Sequence, residues 1–420
     1  MLTPSCVMII AQTPALFGIP VEFVLFALTL LGVALFHNST LRVAITGLLS
    51  ILIFKEIFTD FSIFEHILGS ETHEGEWHIL LNLFGLLTGF TILADHFEKS
   101  GIPEKIPNLL PDDWKGGFGL LIMIAIISSF LDNIAAAMIG GAIAMVVFNG
   151  KVHIGYIAAI VAASNAGGSG SVVGDTTTTM MWIDGVAAAD VTHAYVASVI
   201  AIIFFGVIAA VQQHKLQPLI KSNTHHVDID SGKLIVVVLI LAGAILTNIY
   251  LDFPAAGVWI AILLGAIFRP VPWKMLPNAI QGSIFLLSLV MCASMMPVEQ
   301  LAPASWQTAF ILGFVSAVFD NIPLTKLALE QGGYDWGILA YAVGFGGSMI
   351  WFGSSAGVAI SNIFPQAKSV VSWVKNGWHV AVAYVLGFFV MLYVMGWNPH
   401  APHKKAHIDK NHAAPVEQIE

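Results

Sequence analysis

SSFLDNIAAA (128–137) and SAVFDNIPLT (316–325) are two copies of one motif, and each sets a carboxylic acid inside apolar sequence. Asp132-Asn133-Ile134 answers to Asp320-Asn321-Ile322, 188 residues downstream. A second pair follows each copy. GGSGSVVG (167–174) and GGSMIWFG (346–353) share the pattern Gly-Gly-Ser, four residues, Gly, at an offset of 179. The chain therefore repeats a plan, with connections of unequal length. An ionisable residue inside a membrane segment is costly and marks a functional site by default. Duplicated segments interrupted by Gly point to a transporter's binding site.

That the setting is a membrane follows from composition. Hydrophobic residues make up 57% of the 420 and charged residues only 10%, with a mean hydropathy of +0.83. Soluble domains carry about 25% charged residues. Apolar runs at 21–36, 80–93, 234–250 and 380–397 approach the ~20 residues a helix needs to cross a bilayer. They are continuous rather than alternating, so helices are expected and a β-barrel is not. The reading is an all-α polytopic membrane protein with roughly ten to twelve membrane-entering segments.

The polar stretch 212–233 divides the chain. The expected parts are N-terminal membrane segments with an acidic external loop (1–75), a first repeat (76–211), the polar linker, a second repeat (234–397) and a polar tail (398–420). Within each repeat a helix is expected to break at the Asp-Asn pair, with a Gly-Gly-Ser hairpin following and a final helix closing the unit. Lys215, Lys221 and Lys233 flank the linker, Arg269 and Lys274 sit in another connection, and Lys404, Lys405 and Lys410 mark the tail. The positive-inside rule places all three cytoplasmic, in an inner or plasma membrane. The stretch 60–76 holds Asp60, Glu65, Glu71, Glu74 and Glu76 without Lys or Arg, and should face outside. Asp184 and Asp190 should reach the interface. Cys6 and Cys292 imply no disulfide framework. His214, His225 and His226 with Asp228 and Asp230 lack rigid metal-ligand spacing and read as a solvated linker. The net charge of −9 is spread over loops, and no basic run suggests nucleic acid.

SNAGGSGSVVGDTTTTMMW (164–182) concentrates oxygen ligands: Ser164, Ser169, Ser171, Thr176 to Thr179, Asn165 and Asp175. Hydroxyls, amides and backbone carbonyls freed by an unwound helix suit a small monovalent cation, whereas Zn²⁺ asks for Cys and His. Asp175 aligns with Ser354, which leaves three acids for the core: Asp132, Asp175 and Asp320. Competition of a cation and protons for one set of carboxylates, with alternating access, is antiport. Asp132 also has a plainer use as a cap of the helix after it, a reading that its recurrence at Asp320 weighs against. Asp95, His96 and Glu98 read as boundary residues, with Asp95 an accessory proton carrier as the alternative. No Walker A motif is present, so an ion gradient must supply the energy.

On FLDNI (130–134), SNAGGSGSVVGDTTTTMMWI (164–183), FDNIP (319–323) and GSSAGVA (353–359), the chain resembles the ion transporter superfamily (arsenite, citrate and dicarboxylate transporter-like) and within it the NhaD-type Na⁺/H⁺ antiporters. The resemblance covers roughly 76–397. It implies two inverted repeats of five to six membrane segments each with broken helices and re-entrant hairpins, a homodimer, and an elevator motion. It implies a cation and proton site at Asp132, Asn133, Asn165, Asp175, Thr177, Thr178 and Asp320, joined through the repeat by Asn321, with Ser354 and Ser355 from the second Gly-Gly-Ser segment. Na⁺ or Li⁺ and H⁺ are the expected cargo, with no resident cofactor. The early segment lacks an obvious buried Glu, and the second Gly-Gly-Ser segment carries a bulky Trp351. The alternative function is a cation-coupled carrier of an anion such as citrate, for which neutral donors would suit the site better than three acids. An intramembrane serine protease built on GGSG (167–170) or GSSAG (353–357) would need His193 or His379 as base, and neither has an evident orienting partner.

Overall fold

The computed structural model describes residues 14–36, 39–70, 73–220 and 228–400. Cys6, Lys221, His225, His226 and the tail from 401 lie outside them. The fold is helical throughout, with two minute antiparallel hairpins, Ala15–Leu16 with Ile19–Pro20 and Gly69–Ser70 with His73–Glu74. The main helices are α1 (Val21–Leu35), α2 (Thr40–Phe58), α3 (Trp77–Glu98), α4 (Trp114–Ser128), α5 (Asn133–Val147), α6 (Ile154–Ser169), α7 (Thr176–Ile183) and α8 (Ala194–Leu216). After the linker come α9 (Ser231–Leu251), α10 (Pro254–Gly265), α11 (Leu276–Ser294), α12 (Trp306–Ser316), α13 (Asn321–Gln331), α14 (Trp336–Gly346), α15 (Ser355–Ile363) and α16 (Trp378–Met395). Among the described residues five helices are long and apolar enough to cross a bilayer, and of the shorter apolar ones α4, α5, α12 and α14 flank the breaks.

The two octets pack alike. α1 lies on α2 as α9 lies on α10, α2 meets α11 as α10 meets α3, and α8 and α16 close on each other. The correspondence thus begins at Val21, upstream of the motifs. Atomic contacts repeat as well. Ser128 Oγ donates to Ser164 O (2.6 Å), and its counterpart Ser316 Oγ donates to Val343 O (2.7 Å). A Cβ at Gly167 would meet Ala125 O at 2.0 Å, and one at Gly346 would meet Gly313 O at 2.3 Å. These glycines are present because two backbones touch there. The helices restart in the same way in both units: Asp132 and Asp320 accept from the N–H two residues on, satisfying an orphan donor of the new helix.

The direction of the chain at the breaks differs from the sequence expectation. Ile220 N donates to Val147 O (2.8 Å), and Gly116 lies against Leu219, so both ends of the α4–α5 pair sit beside the linker. The Asp-Asn pair is the tip of a re-entrant hairpin. In the second unit Gln331 Nε2 donates to Ala302 O (2.7 Å), close to the start of α12, so α12–α13 also enters and leaves on one side. The Gly-Gly-Ser segment is the broken helix that runs through. α6 starts at His153, whose N–H bonds Gln213 near the linker (2.7 Å), and α7 ends at the far side. In the first unit the packing agrees, since α4 lies on α5 whereas α6 and α7 touch little; in the second unit α12 and α13 also touch little, and the reversal rests on the bond between Gln331 and Ala302. From sequence, both interruptions look like breaks.

The two exits also separate. Asn398 N donates to Asp335 Oδ2 (3.0 Å) and Trp336 Nε1 to His400 O (2.6 Å), beside Asp190 and His193 at the start of α8. The linker leaves from the other end of that helix. Linker and tail root therefore lie on opposite faces, and the expectation that both are cytoplasmic is corrected. Arg42, Lys99, Lys105, Lys115, Lys151, Lys215, Lys233, Arg269, Lys274, Lys368 and Lys375 all belong to the linker face. Lys55 and the buried Lys326 lie toward the tail face.

Candidate functional site

Where the tip of the α4–α5 hairpin meets the break of α6–α7, the polar residues converge. Asp175 begins α7. Its Oδ1 accepts from Thr177 N and Thr177 Oγ1 (2.9 Å each), and its Oδ2 accepts from Asn133 Nδ2 (2.9 Å). Asn133 Nδ2 also donates to Asn165 Oδ1 (3.0 Å). Asn165 in turn crosses to the second unit and donates to Ser348 Oγ (2.9 Å) and Ser354 Oγ (3.2 Å). One chain of neutral donors thus ties Asp175 to both halves of the molecule. Gly344, the counterpart of Asn165, leaves room here: a Cβ on it would stand 3.7 Å from Asp175 Oδ2.

Asp132 and Asp320 flank this centre in matching roles. Asp132 accepts from Ile134 N (3.1 Å) and, at 3.5 Å, from Thr176 Oγ1. Asp320 accepts from Ile322 N (3.0 Å) and Ser355 Oγ (3.1 Å). Thr176 and Ser355 are counterparts, each the first residue after its break. Asp175 is buried while Asp132 and Asp320 are half-buried, and both act electrostatically on Asp175. Among the described residues no Lys, Arg or His is ion-paired with any of the three.

The structure thus brings together Asp132, Asn133, Asn165, Asp175, Thr177, Asp320, Ser354 and Ser355. Thr178 points elsewhere: its hydroxyl bonds Ser171 O (2.6 Å) and Asp175 O (2.9 Å), closing the break. Asn321 Nδ2 is buried with no protein partner, unlike its counterpart Asn133. Sequence reasoning counted Thr176 among the oxygen ligands of the run 164–182 but left it out of the site, and it missed Ser348. Both were legible from the repeat, Thr176 as the partner of Ser355 and Ser348 as the third residue of the Gly-Gly-Ser pattern. Two buried acids of the early segments were also missed, Glu22 and Glu76. Glu76 is not part of a solvated loop, and Asp184, just past the end of α7, is buried in protein; both lie near a fully buried Lys326.

A cavity of about 410 Å³ reaches the carboxylates. It is lined by Asp132, Asp175, Thr176 and Thr179 at its floor and by Asp95 and exposed Glu98 at its mouth, between α3, α5 and α11. Asp95 is ion-paired with Lys99. The mouth lies on the linker face. Ser169 Oγ bonds Ala166 O and Ser198 Oγ, and Ser355, the central serine of GSSAG, donates to Asp320 Oδ2, so neither serine is bonded to His193 or His379. Among the described residues no group of three or more His, Cys, Asp or Glu could hold a metal ion.

None of the protein-family models matches the chain. It is similar to sodium/proton antiporter 2 of Arabidopsis thaliana, 26% identical over 340 residues that cover 67% of this chain and 76% of the relative. Sodium/proton antiporter 1 of the same plant is 25% identical over 331 residues, 67% of this chain and 56% of the relative. The Na⁺/H⁺ antiporter NhaD of Vibrio parahaemolyticus is 26% identical over 306 residues, 59% of this chain and 72% of the relative. These matches bear out the resemblance to NhaD-type antiporters that the repeated motifs carry. The relatives are transporters, not enzymes.

Proposed function

We propose that this chain is a secondary antiporter that exchanges Na⁺ or Li⁺ for H⁺ across a bilayer. The observation that carries the reading is the charge imbalance at the centre: three carboxylates share neutral amide and hydroxyl donors and have no basic partner. Uncompensated carboxylates in a low-dielectric interior are costly, so each state of the site must hold either a cation or protons. A monovalent cation would use oxygens of Asp175, Asp132, Thr176 and Thr177, with carbonyls of the unwound break completing its shell. Protons arriving at the same oxygens remove the charge that holds the cation, and the reverse exchange follows by mass action. The protons titrate as a coupled set.

The linker face is cytoplasmic in this reading, because the Lys and Arg residues gather there. The cavity then admits cytoplasmic ions, and the octets lie in the membrane in opposite senses. The similarity to sodium/proton antiporters supports the cargo assignment.

The experiment uses everted vesicles holding an acid-inside pH gradient, followed with a pH-sensitive dye. Addition of Na⁺ or Li⁺ should collapse the gradient, and K⁺ or citrate should not. A response to citrate alone would overturn the reading and make the acids ligands of a coupling ion.

A further inference from the structure

Lys326 is fully buried on α13, six residues past Asp320. Its Nζ lies 3.0 and 2.8 Å from the two carboxylate oxygens of Glu76, at the start of α3, and 2.5 Å from Glu330 Oε1 on its own helix. Asp184, at the end of α7, acts on it electrostatically. The cluster therefore joins the two elements that leave the carboxylate centre toward the tail face, α7 and α13, to the long helix α3. It contributes no ligand to the centre, and nothing in the exchange described above uses it.

The internal repeat says what stands in the same place on the linker face. The counterparts of Lys326 and Glu330, 188 residues upstream, are Met138 and Ala142, and the counterpart of Glu76, the residue preceding the third helix of its unit, is Met275. All three line the open cavity. The packing differs accordingly: α13 lies against α11, whereas their counterparts α5 and α3 stand apart with the cavity between them. One position in the repeat is thus an open passage on the linker face and a charged seal on the tail face.

We propose that the Lys326–Glu76–Glu330 cluster is the tail-side gate of the exchange cycle, with Lys326 as the positioning residue that holds the centre open to the linker face only. The physics suits a seal that must reopen. A buried ion pair gains little net stability because its charges are desolvated, and parting α13 from α3 lets water into the gap and returns that solvation. Lys326 is outnumbered by Glu76 and Glu330, so the shut gate bars a cation by its packing and not by positive charge. The cavity mouth on the other face has Asp95 and Glu98 instead.

This inference rests on the antiporter reading for its purpose, but its test does not depend on cargo. Single cysteines are placed at Thr325 (buried beside Lys326) and at Met138 (in the cavity), with Cys6 and Cys292 replaced by Ala. Labelling by a membrane-impermeant maleimide is timed separately from each face. In the charge-intact protein, Met138→Cys should react from the linker face while Thr325→Cys stays protected from the tail face. Glu76→Gln should raise the Thr325→Cys rate about tenfold and lower the Met138→Cys rate, a shift of population between two states. Glu76→Asp should retain most of the original ratio. Both rates rising together, or neither changing, would overturn the gate. If Glu76→Gln does not yield monodisperse protein, Glu330→Gln is read in the same way. Reciprocal labelling without Na⁺/H⁺ exchange would leave the gate standing and remove the antiporter reading; exchange without reciprocal labelling would do the opposite.

Discussion

Replacing Asp175 by Asn isolates charge from shape. The side chain caps α7 through Thr177 N (2.9 Å), and Asn is as good an N-cap as Asp, so the break between α6 and α7 should survive. What disappears is one negative charge beside the cation. At an effective dielectric constant near 20 and a separation of about 4 Å, that charge is worth roughly 4 kcal/mol. At 1.4 kcal/mol per decade, cation affinity should fall about a thousandfold. The effect is reinforced locally. Asn133 Nδ2 donates to Asp175 Oδ2 at 2.9 Å, and the new amide can offer an oxygen to Asn133 or to Thr177 but not to both. Binding of ²²Na⁺ to purified protein measures the first effect, and dye recovery in everted vesicles measures the consequence for exchange. Asp175→Glu, which keeps the charge, should fall between the two. A half-saturating Na⁺ concentration for Asp175→Asn within tenfold of the parent, with the exchange rate intact, would refute the assignment of Asp175 to the ion.

Gly167→Ala should abolish recovery of folded protein in size-exclusion chromatography, since its Cβ would meet Ala125 O at 2.0 Å; Gly282→Ala, with no atom within 4 Å, should behave as the parent. Asp230 caps α9 and bonds Arg269 (2.9 and 2.8 Å), and those hydrogen bonds hold its carboxyl down to about 2, against an ordinary 3.8. A depressed value means that its contribution is complete above the ordinary value and lost as pH falls toward 2. Asp230→Asn should therefore lower the melting temperature by the same amount at pH 5 and pH 9, with the difference from the parent shrinking below pH 4. Topology reporters inserted in the linker and fused after His400 should report opposite sides, because the chain leaves the molecule there on opposite faces; the same side for both would contradict the fold.

Much of this was legible in the sequence for a specific reason. Asp132, Asn133, Asp175 and Asp320 stand out because charge and amide are rare in apolar sequence, and the repeat supplies their partners. Direction was not legible. A turn at Leu131 and Asp132 that reverses the chain and a break at Gly170 to Gly174 that does not are both short polar interruptions, and only the packing of α4 on α5 tells them apart. Lys326 was hidden for a related reason. A lysine in PLTKLALEQ reads as a snorkelling or boundary residue, because Glu76, which lies 250 positions away, enters the argument only once α3 and α13 are in place.

The division of labour between shared and unshared positions explains how a duplicated scaffold can host one site. Some positions kept in both units are structural, for Ser128 and Ser316 stitch hairpin to broken helix and Gly167 and Gly346 let backbones touch, while Asp132 and Asp320 are kept as the flanking acids. The positions that differ carry the polarity. Asn165 faces Gly344 across the pseudo-symmetry, Asp175 faces Ser354, and Lys326 faces Met138. Had the second unit kept Asn and Asp at 344 and 354, four carboxylates would crowd one centre, and two large side chains would occupy the room beside Asp175. Small residues there leave a single Asp175, reached from both units, whose charge a single cation can balance, protons being needed for whatever charge the flanking acids retain. Symmetry lets the scaffold face either way, and the broken symmetry at these three positions gives it one site and a gate on one face.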